Sequence, residues 1–267
     1  MENLCDLLFE VSNEDRLRIL RRLQEGALNV TGLSRALDLT TQESSRHLSR
    51  LGDVGLTGRD ADGLYSLTPY ASLVLRQLGG FEFTSNQKDY FLYHTLDNLP
   101  GEFLCRIGEL AESTYVDDVM VAIYNVERAV QRAEEYFWIV TDQYPVSFFP
   151  LVAKAFKKGV KVRTIDAADW DPPAQLKDGI RPEDARTTLQ ARRTGALEEK
   201  VLDRLDVVLW MSEKEVAGLA FPTLEGRYDY LGFTSADERG HKWCSDLFNH
   251  YWDRGEKKTE FVLIPEG

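Results

Sequence analysis

The stretch TGLSRALDLTTQESSRHLSRLGDVGL, residues 31–56, decides how the N-terminal part of this chain is read. Leu33, Ala36 and Leu37 fall at i, i+3 and i+4, the spacing by which a short helix buries one face. Leu39 and Thr40 make a tight connection. Thr40 and Glu43 then have the T-x-x-E spacing of a capping box, in which hydroxyl and carboxylate satisfy free N–H groups at the start of a second helix. On that helix Ser44, Leu48 and Leu51 share the inward face, Gln42, Arg46, Ser49 and Arg50 the outward one, and Gly55 suits the stop. Amide, hydroxyl and guanidinium groups on an exposed helix face match the base edges and phosphates of the DNA major groove.

The flanks separate this reading from an ordinary amphipathic hairpin. Before it, Asp15 to Leu23 is a further amphipathic helix with Leu17, Ile19, Leu20 and Leu23 apolar. After it, LTGRDADGLYSLT places Asp62-Gly63, a two-residue hairpin signal, between short strands. Three helices and a hairpin make a winged helix-turn-helix, expected over residues 1–80 and directed at double-stranded DNA. Its expected contacts are Thr41, Gln42, Ser45, Arg46, His47, Ser49, Arg50 and Arg59. His47 reads equally as a helix-packing histidine, and Glu43 reads as a cap.

The net charge of -12 opposes nucleic-acid binding at first sight. Residues 1–80, however, carry nine Arg and no Lys against eleven Asp and Glu, with Arg16, Arg18, Arg21 and Arg22 crowding one helix. Asp60 and Asp62 at the wing tip repel phosphate. Weak, salt-sensitive non-specific binding is expected, with the helix contributing more than the wing. No run approaches the roughly 20 apolar residues of a membrane span, the start MENLCDLLFE is acidic, and Cys5, Cys105 and Cys244 are scattered without metal spacing. A cytoplasmic protein with free thiols, no metal and no cofactor is the expectation.

Pro69 opens a helix, YASLVLRQLGGF, with Leu73, Leu75 and Leu78 apolar and Gly79-Gly80 closing it. Residues 81–115 continue as helical material broken at Pro100-Gly101, a linker and dimerisation segment suited to a homodimer on pseudo-symmetric DNA. From 116 to 267 the texture is α/β. DVMVAIY, YFWIVTDQ, VKVRTIDA, LDVVLWMS, EVAGLAFP and YLGFTS read as strands. VERAVQRAEE, FFPLVAKAFKKG and GHKWCSDLFNHYWDRG read as helices, and the polar stretch 171–189 as a surface excursion.

The runs FWIVTDQ…LVAKAFKKGVKVRTID, LDVVLWMSEKEVAGLAFP and GFTSADERGHKWCSDLFNHYWD resemble the effector half of archaeal transcriptional regulators with a methanogenesis regulatory protein middle domain. Ser44 to Leu48, S-x-R-H-L, resembles the ArsR-like winged-helix half of such regulators. GVKVR is similar to phospholipase-D-like domains that serve as non-catalytic ligand sensors. The resemblance implies a DNA-binding regulator whose residues 116–267 sense a small-molecule effector.

Two other functions compete with this one. Phospholipase-D-type hydrolysis needs H-x-K-x-x-x-x-D, and none of His47, His94, His241 and His250 starts that pattern; other catalytic signatures are absent too, so no enzyme is expected. A winged helix used only as a protein-interaction module would not shift promoter DNA at low salt. For the effector, ligands favour the C-terminal ends of parallel strands, which points to Asp142, Gln143, Tyr144 and Asp166, with Trp210 and His241 as neighbours.

Overall fold

Asn13, Asn29 and Thr40 each accept a backbone N–H at the start of a helix, and these caps space three helices in close succession. In the computed structural model, which describes residues 2–259 and 264, α1 (Glu2–Val11) precedes α2 (Glu14–Gln24), α3 (Val30–Leu37) and α4 (Thr41–Asp53). Strands β1 (Thr57–Arg59) and β2 (Tyr65–Leu67) pair antiparallel with Arg59 opposite Tyr65. Ile19, Leu20, Leu23, Leu33, Leu48, Leu51 and Leu56 form the buried core. This is the winged helix expected, and residues 1–79 form one compact unit, residues 80–267 another.

Three details differ from the sequence reading. On α3 the inward face is Val30, Leu33, Ser34 and Leu37; Ala36 is exposed and buried Ser34 takes its place. The wing does not turn on two residues. Asp60 accepts the Gly63 N–H on its backbone and the Asp62 and Leu64 N–H groups on its side chain, and Gly63, at φ 82°, takes the left-handed position of a three-residue loop. Finally, α5 (Pro69–Asn86) does not stop at Gly79-Gly80. Each glycine costs a helix about 1 kcal/mol, but Gly80 admits the Ile107 methyl close to its backbone and Phe83, a turn later, is buried.

Residues 81–115 are no separate linker. They hold α6 (Lys88–Phe91), α7 (Gly101–Leu104), a 3-10 turn (Ile107–Leu110) and β3 (Thr114–Val116). Their Phe83, Tyr90, Leu99, Phe103 and Leu110 are buried in the core of the second unit. The run DVMVAIY is not a strand. Asp118 caps the Met120 and Val121 N–H groups, and α8 (Val119–Arg132) buries Val126, Ala129 and Val130 at helical spacing.

The remaining elements are β4 (Tyr136–Thr141), α9 (Phe148–Lys157), β5 (Lys161–Ala167), α10 (Ala174–Asp178), α11 (Pro182–Thr194), β6 (Leu197–Leu202), β7 (Val208–Ser212), β8 (Val216–Ala220), β9 (Gly232–Ser235), α12 (Glu238–Arg254) and β10 (Glu256–Lys257). Stretch 171–189 is therefore partly helical, with Asp184 and Thr188 buried. The sheet order is β10-β6-β5-β4-β7-β8-β9-β3. Among the described strands β4, β5 and β6 pair parallel and the other pairs are antiparallel; between β7 and β8, residues 213–215 are too few for a crossover.

Alternation along the strands gives the sheet two apolar faces. Ile139 and Trp210 pack with α8, α9 and α11, whereas Val140 and Leu209 pack with α12 and the 83–110 segment. No helix among the described residues is long and apolar enough to cross a membrane.

Candidate nucleic-acid interface

Residues 42, 45, 46 and 49 recur at i, i+3, i+4 and i+7, so on α4 they form one stripe. Gln42, Ser45, Arg46 and Ser49 are all exposed, as is Thr41 at the first helical position. The opposite face is fixed by packing. Leu48 and Leu51 are fully buried, and Ser44 accepts a hydrogen bond from Ser34 Oγ at 2.9 Å where α3 crosses α4. At the N-terminus the capping box is complete. Glu43 N donates to Thr40 Oγ1 at 3.1 Å and Thr40 N to Glu43 Oε2 at 2.9 Å. The Thr40 hydroxyl and N–H hold the Glu43 carboxyl below its usual range. Glu43 is a cap.

Two expected contacts are placed otherwise. His47 is 6% exposed, turned inward with Nε2 4.0 Å from Asp15 Oδ2 and Nδ1 unpartnered. Burial, and then Arg46, lowers its pKa, so the neutral ring packs between helices and is off the stripe. Arg50 leans sideways to α1. Its Nη2 and Nε donate to the Glu10 carboxylate at 2.6 and 3.1 Å, its guanidinium lies 5.3 Å from the Phe9 ring, and the Glu10 bond raises its pKa. Buried Glu10 also meets Arg16 Nε at 3.0 Å. Glu10, forty residues before Arg50, carries no sequence signal that would have paired them.

The crowd of arginines on α2 is likewise largely committed. Arg16 is buried and donates to the Phe9 and Glu10 carbonyls, Arg18 donates to the Leu37 carbonyl at 2.8 Å, and Arg22 pairs with Glu25 at 3.0 Å. Arg46 and Arg35 remain exposed, and Arg59 on the wing stacks 5.6 Å from the Tyr65 ring with its charge outward.

In the second unit the expected effector residues separate into groups. Tyr144 Oη donates to Asp166 Oδ1 at 2.6 Å, and Lys258 Nζ donates to Asp166 Oδ2 at 2.5 Å, with Asp166 at the C-terminal end of β5. Burial, and then the Asp166 charge, pushes the Tyr144 hydroxyl well up, so it stays a donor. Gln143 and Trp210 line an adjoining cavity with Tyr144, and Asp142 accepts from Tyr230 Oη at 2.6 Å at its edge. His241 is elsewhere. It contacts the Ser212 carbonyl at 2.7 Å, and Ser212 pairs with Phe137 at the start of β4, the opposite end of that strand from Asp142. Tyr230 and Lys258 were not among the expected residues, since nothing local in the sequence aims them at β4 and β5. No cluster among the described residues has the makings of a metal site.

Comparison with known proteins bears on the first unit. Among solved structures, TrmBL2, an archaeal chromatin protein with a novel mode of DNA binding, shares 17% identity across 92% of this chain and 94% of its own, at a TM-score of 0.44. A phospholipase D family member, Nuc from Salmonella typhimurium, shares 10% identity across 56% of this chain and 97% of its own, at 0.37. An O-methyltransferase family protein from Burkholderia thailandensis shares 11% identity across 75% and 61%, at 0.27. Likenesses this distant carry no argument about fold or activity. No curated relative matches the chain. Residues 13–56 do match a family model, that of bacterial regulatory proteins of the arsR family, and they span α2, α3 and α4, ending just before β1. The helix-turn-helix of this chain is one of the arsR family.

Proposed function

We propose that the protein is a transcription regulator that reads promoter DNA with α4, acts as a homodimer, and responds to a small-molecule effector held in its second unit. The observation that carries the DNA-binding part is the exposed Gln42, Ser45, Arg46 and Ser49 stripe on the second helix of an arsR-family helix-turn-helix. Thr41 lies beside it, and Arg35 and Arg59 supply flanking charge. Arg50 joins only if phosphate displaces Glu10, and His47 acts through packing. Pairing of two copies is supported by apolar side chains left exposed on α1 and α5, among them Leu4 at 56%, Phe9 at 61% and Leu73 at 55%. The effector part rests on the cavity beside Gln143, Tyr144 and Trp210.

Titration of DNA from upstream of the protein's own gene tests this reading. Two copies each presenting Arg35, Arg46 and Arg59 neutralise about six phosphates, for a slope of about -5 in log affinity against log salt. Arg46→Ala should weaken binding with the fold unchanged. An unshifted promoter at low salt would leave the winged helix as a protein-interaction module.

A further inference from the structure

We infer that the cavity between α8 and strands β7, β8 and β9 binds an uncharged, largely aromatic small molecule of about two fused rings. This deepens the effector reading above, on which it rests only for its regulatory consequence.

The cavity measures about 210 Å³. An apolar cavity of about 150 Å³ suffices for a benzene ring, so there is room here for a second ring. It exists because small residues meet a loosely seated helix. The sheet floor is Ala217, Gly218 and Ala220, and the first half of α8, with Val119, Ala122 and Ile123, covers it without being buried against it. Met120 and Tyr124 on the same half-helix are 71% and 60% exposed, so little packing holds this segment down. The walls are aromatic: Tyr144 and Trp210 stand with ring centroids 5.7 Å apart.

The polar groups restrict the ligand further. No Asp, Glu, Lys, Arg or His is among the described lining residues, so a charged ligand finds no counter-charge. The hydroxyls of Tyr144 and Tyr230 already donate to Asp166 and Asp142. Gln143 lies at the exposed mouth, and its side-chain amide bonds to none of the described residues. A single hydroxyl or carbonyl on the ring edge fits that amide.

Gly218 allows a clean test. A Cβ there meets only Trp210 Cδ1, at 3.9 Å, and the backbone is not in the left-handed region, so the first carbon of a Gly218→Val side chain enters at ordinary contact distance and its methyls project towards the open side of the cavity floor. The full-length protein is titrated with 2-naphthol, followed by quenching of tryptophan emission and by calorimetry. The expected result is saturable one-to-one binding, weakened at least tenfold in Gly218→Val at an equal or higher melting temperature. Gln143→Ala should weaken 2-naphthol several-fold and leave naphthalene unchanged, and naphthalene-2-sulfonate should bind the parent at least tenfold more weakly than 2-naphthol. Ala122→Leu, on the opposite wall, serves if Gly218→Val does not fold.

Absence of saturable binding by the parent, or equal binding by both filling variants, overturns the inference. So does self-association of the parent that both variants abolish without any probe binding, which would make the cavity part of an interface between copies. Promoter affinity is measured alongside. If 2-naphthol binds and Gly218→Val loses it while DNA affinity stays constant, the cavity assignment stands and the sensor reading falls.

Discussion

Helices α4 and α8 begin alike and are finished differently. Each has a side-chain cap, Thr40 and Asp118, and each buries three or more residues at helical spacing. On α4 what remains outside is polar, so the helix is seated by its apolar face and advertises the other. On α8 the first half keeps Val119, Met120, Val121 and Tyr124 in the open. Apolar groups at the surface of a monomer contribute nothing to its core, and of these four Val119 also lines the cavity proposed to hold a ligand. One helix is a finished surface; the other is a surface awaiting something.

The comparison is tested first by truncation. Leu48→Ala on α4 should cost about 2–5 kcal/mol, because Leu48 is fully buried and the surrounding core relaxes only partly into the space it leaves. Ile123→Ala on α8 should cost under about 1.5 kcal/mol, since the site is already loose. Equal losses in chemical denaturation would show that α8 is seated as firmly as α4. Arg46→Ala should cost about 1–3 kcal/mol in promoter binding if the guanidinium reads a base, or flatten the salt slope by about one if it meets phosphate. In either case the melting temperature should hold. Arg50→Ala should instead lower thermal stability, because Glu10 loses one of two cations while buried. The cap comes next: Asp118→Ala should lower stability by about 0.5–2 kcal/mol, and an unchanged melt would mean the first turn of α8 is frayed already.

The smallest effect is in pH. Burial, then Arg46, holds the folded pKa of His47 down, and burial, then Arg254, does the same for His250. Below about 6.5, the ordinary histidine value, the unfolded chain takes up protons that these folded imidazoles refuse. Their contribution to stability is complete above that pH and is lost as pH falls through the folded values. Melts from pH 7.5 to 5 should decline, and His47→Leu should shallow the decline; a parallel curve would refute the assignment to His47.

Helix α4 is legible because its signals are local: a four-residue capping box and a repeat of three and four. The same arithmetic over 119–124 misled. A run of β-branched and apolar residues reads as a strand, and only Asp118, with the buried spacing of Val126, Ala129 and Val130, selects the helix. Distance in sequence hid the rest. Arg50 was placed on the outward face correctly by period, yet Glu10 draws it aside. The rule for parallel strand ends points to Asp142 and Asp166, which lie at the C-terminal ends of β4 and β5, while their partners Tyr230 and Lys258 come from segments that no local pattern points there. His241 failed because β7 runs antiparallel to β4, which puts Ser212 and its neighbours at the far end of the sheet.

The pair formed by Asp166 and Lys258 also sets an order of events during synthesis. Asp166 is 2% exposed in the finished protein, and its lysine follows 92 residues later. At about 5–20 residues per second, the ribosome leaves that carboxylate without its cation for roughly 5 to 20 seconds. Through that interval the parallel strands β4, β5 and β6 can align, but closing α11 and Trp170 over an unpaired anion is opposed by the cost of dehydrating it. Until Lys258 arrives, Tyr144 is the one side-chain donor given to that carboxylate among the described residues, so closure of these strand ends is least costly as a late step.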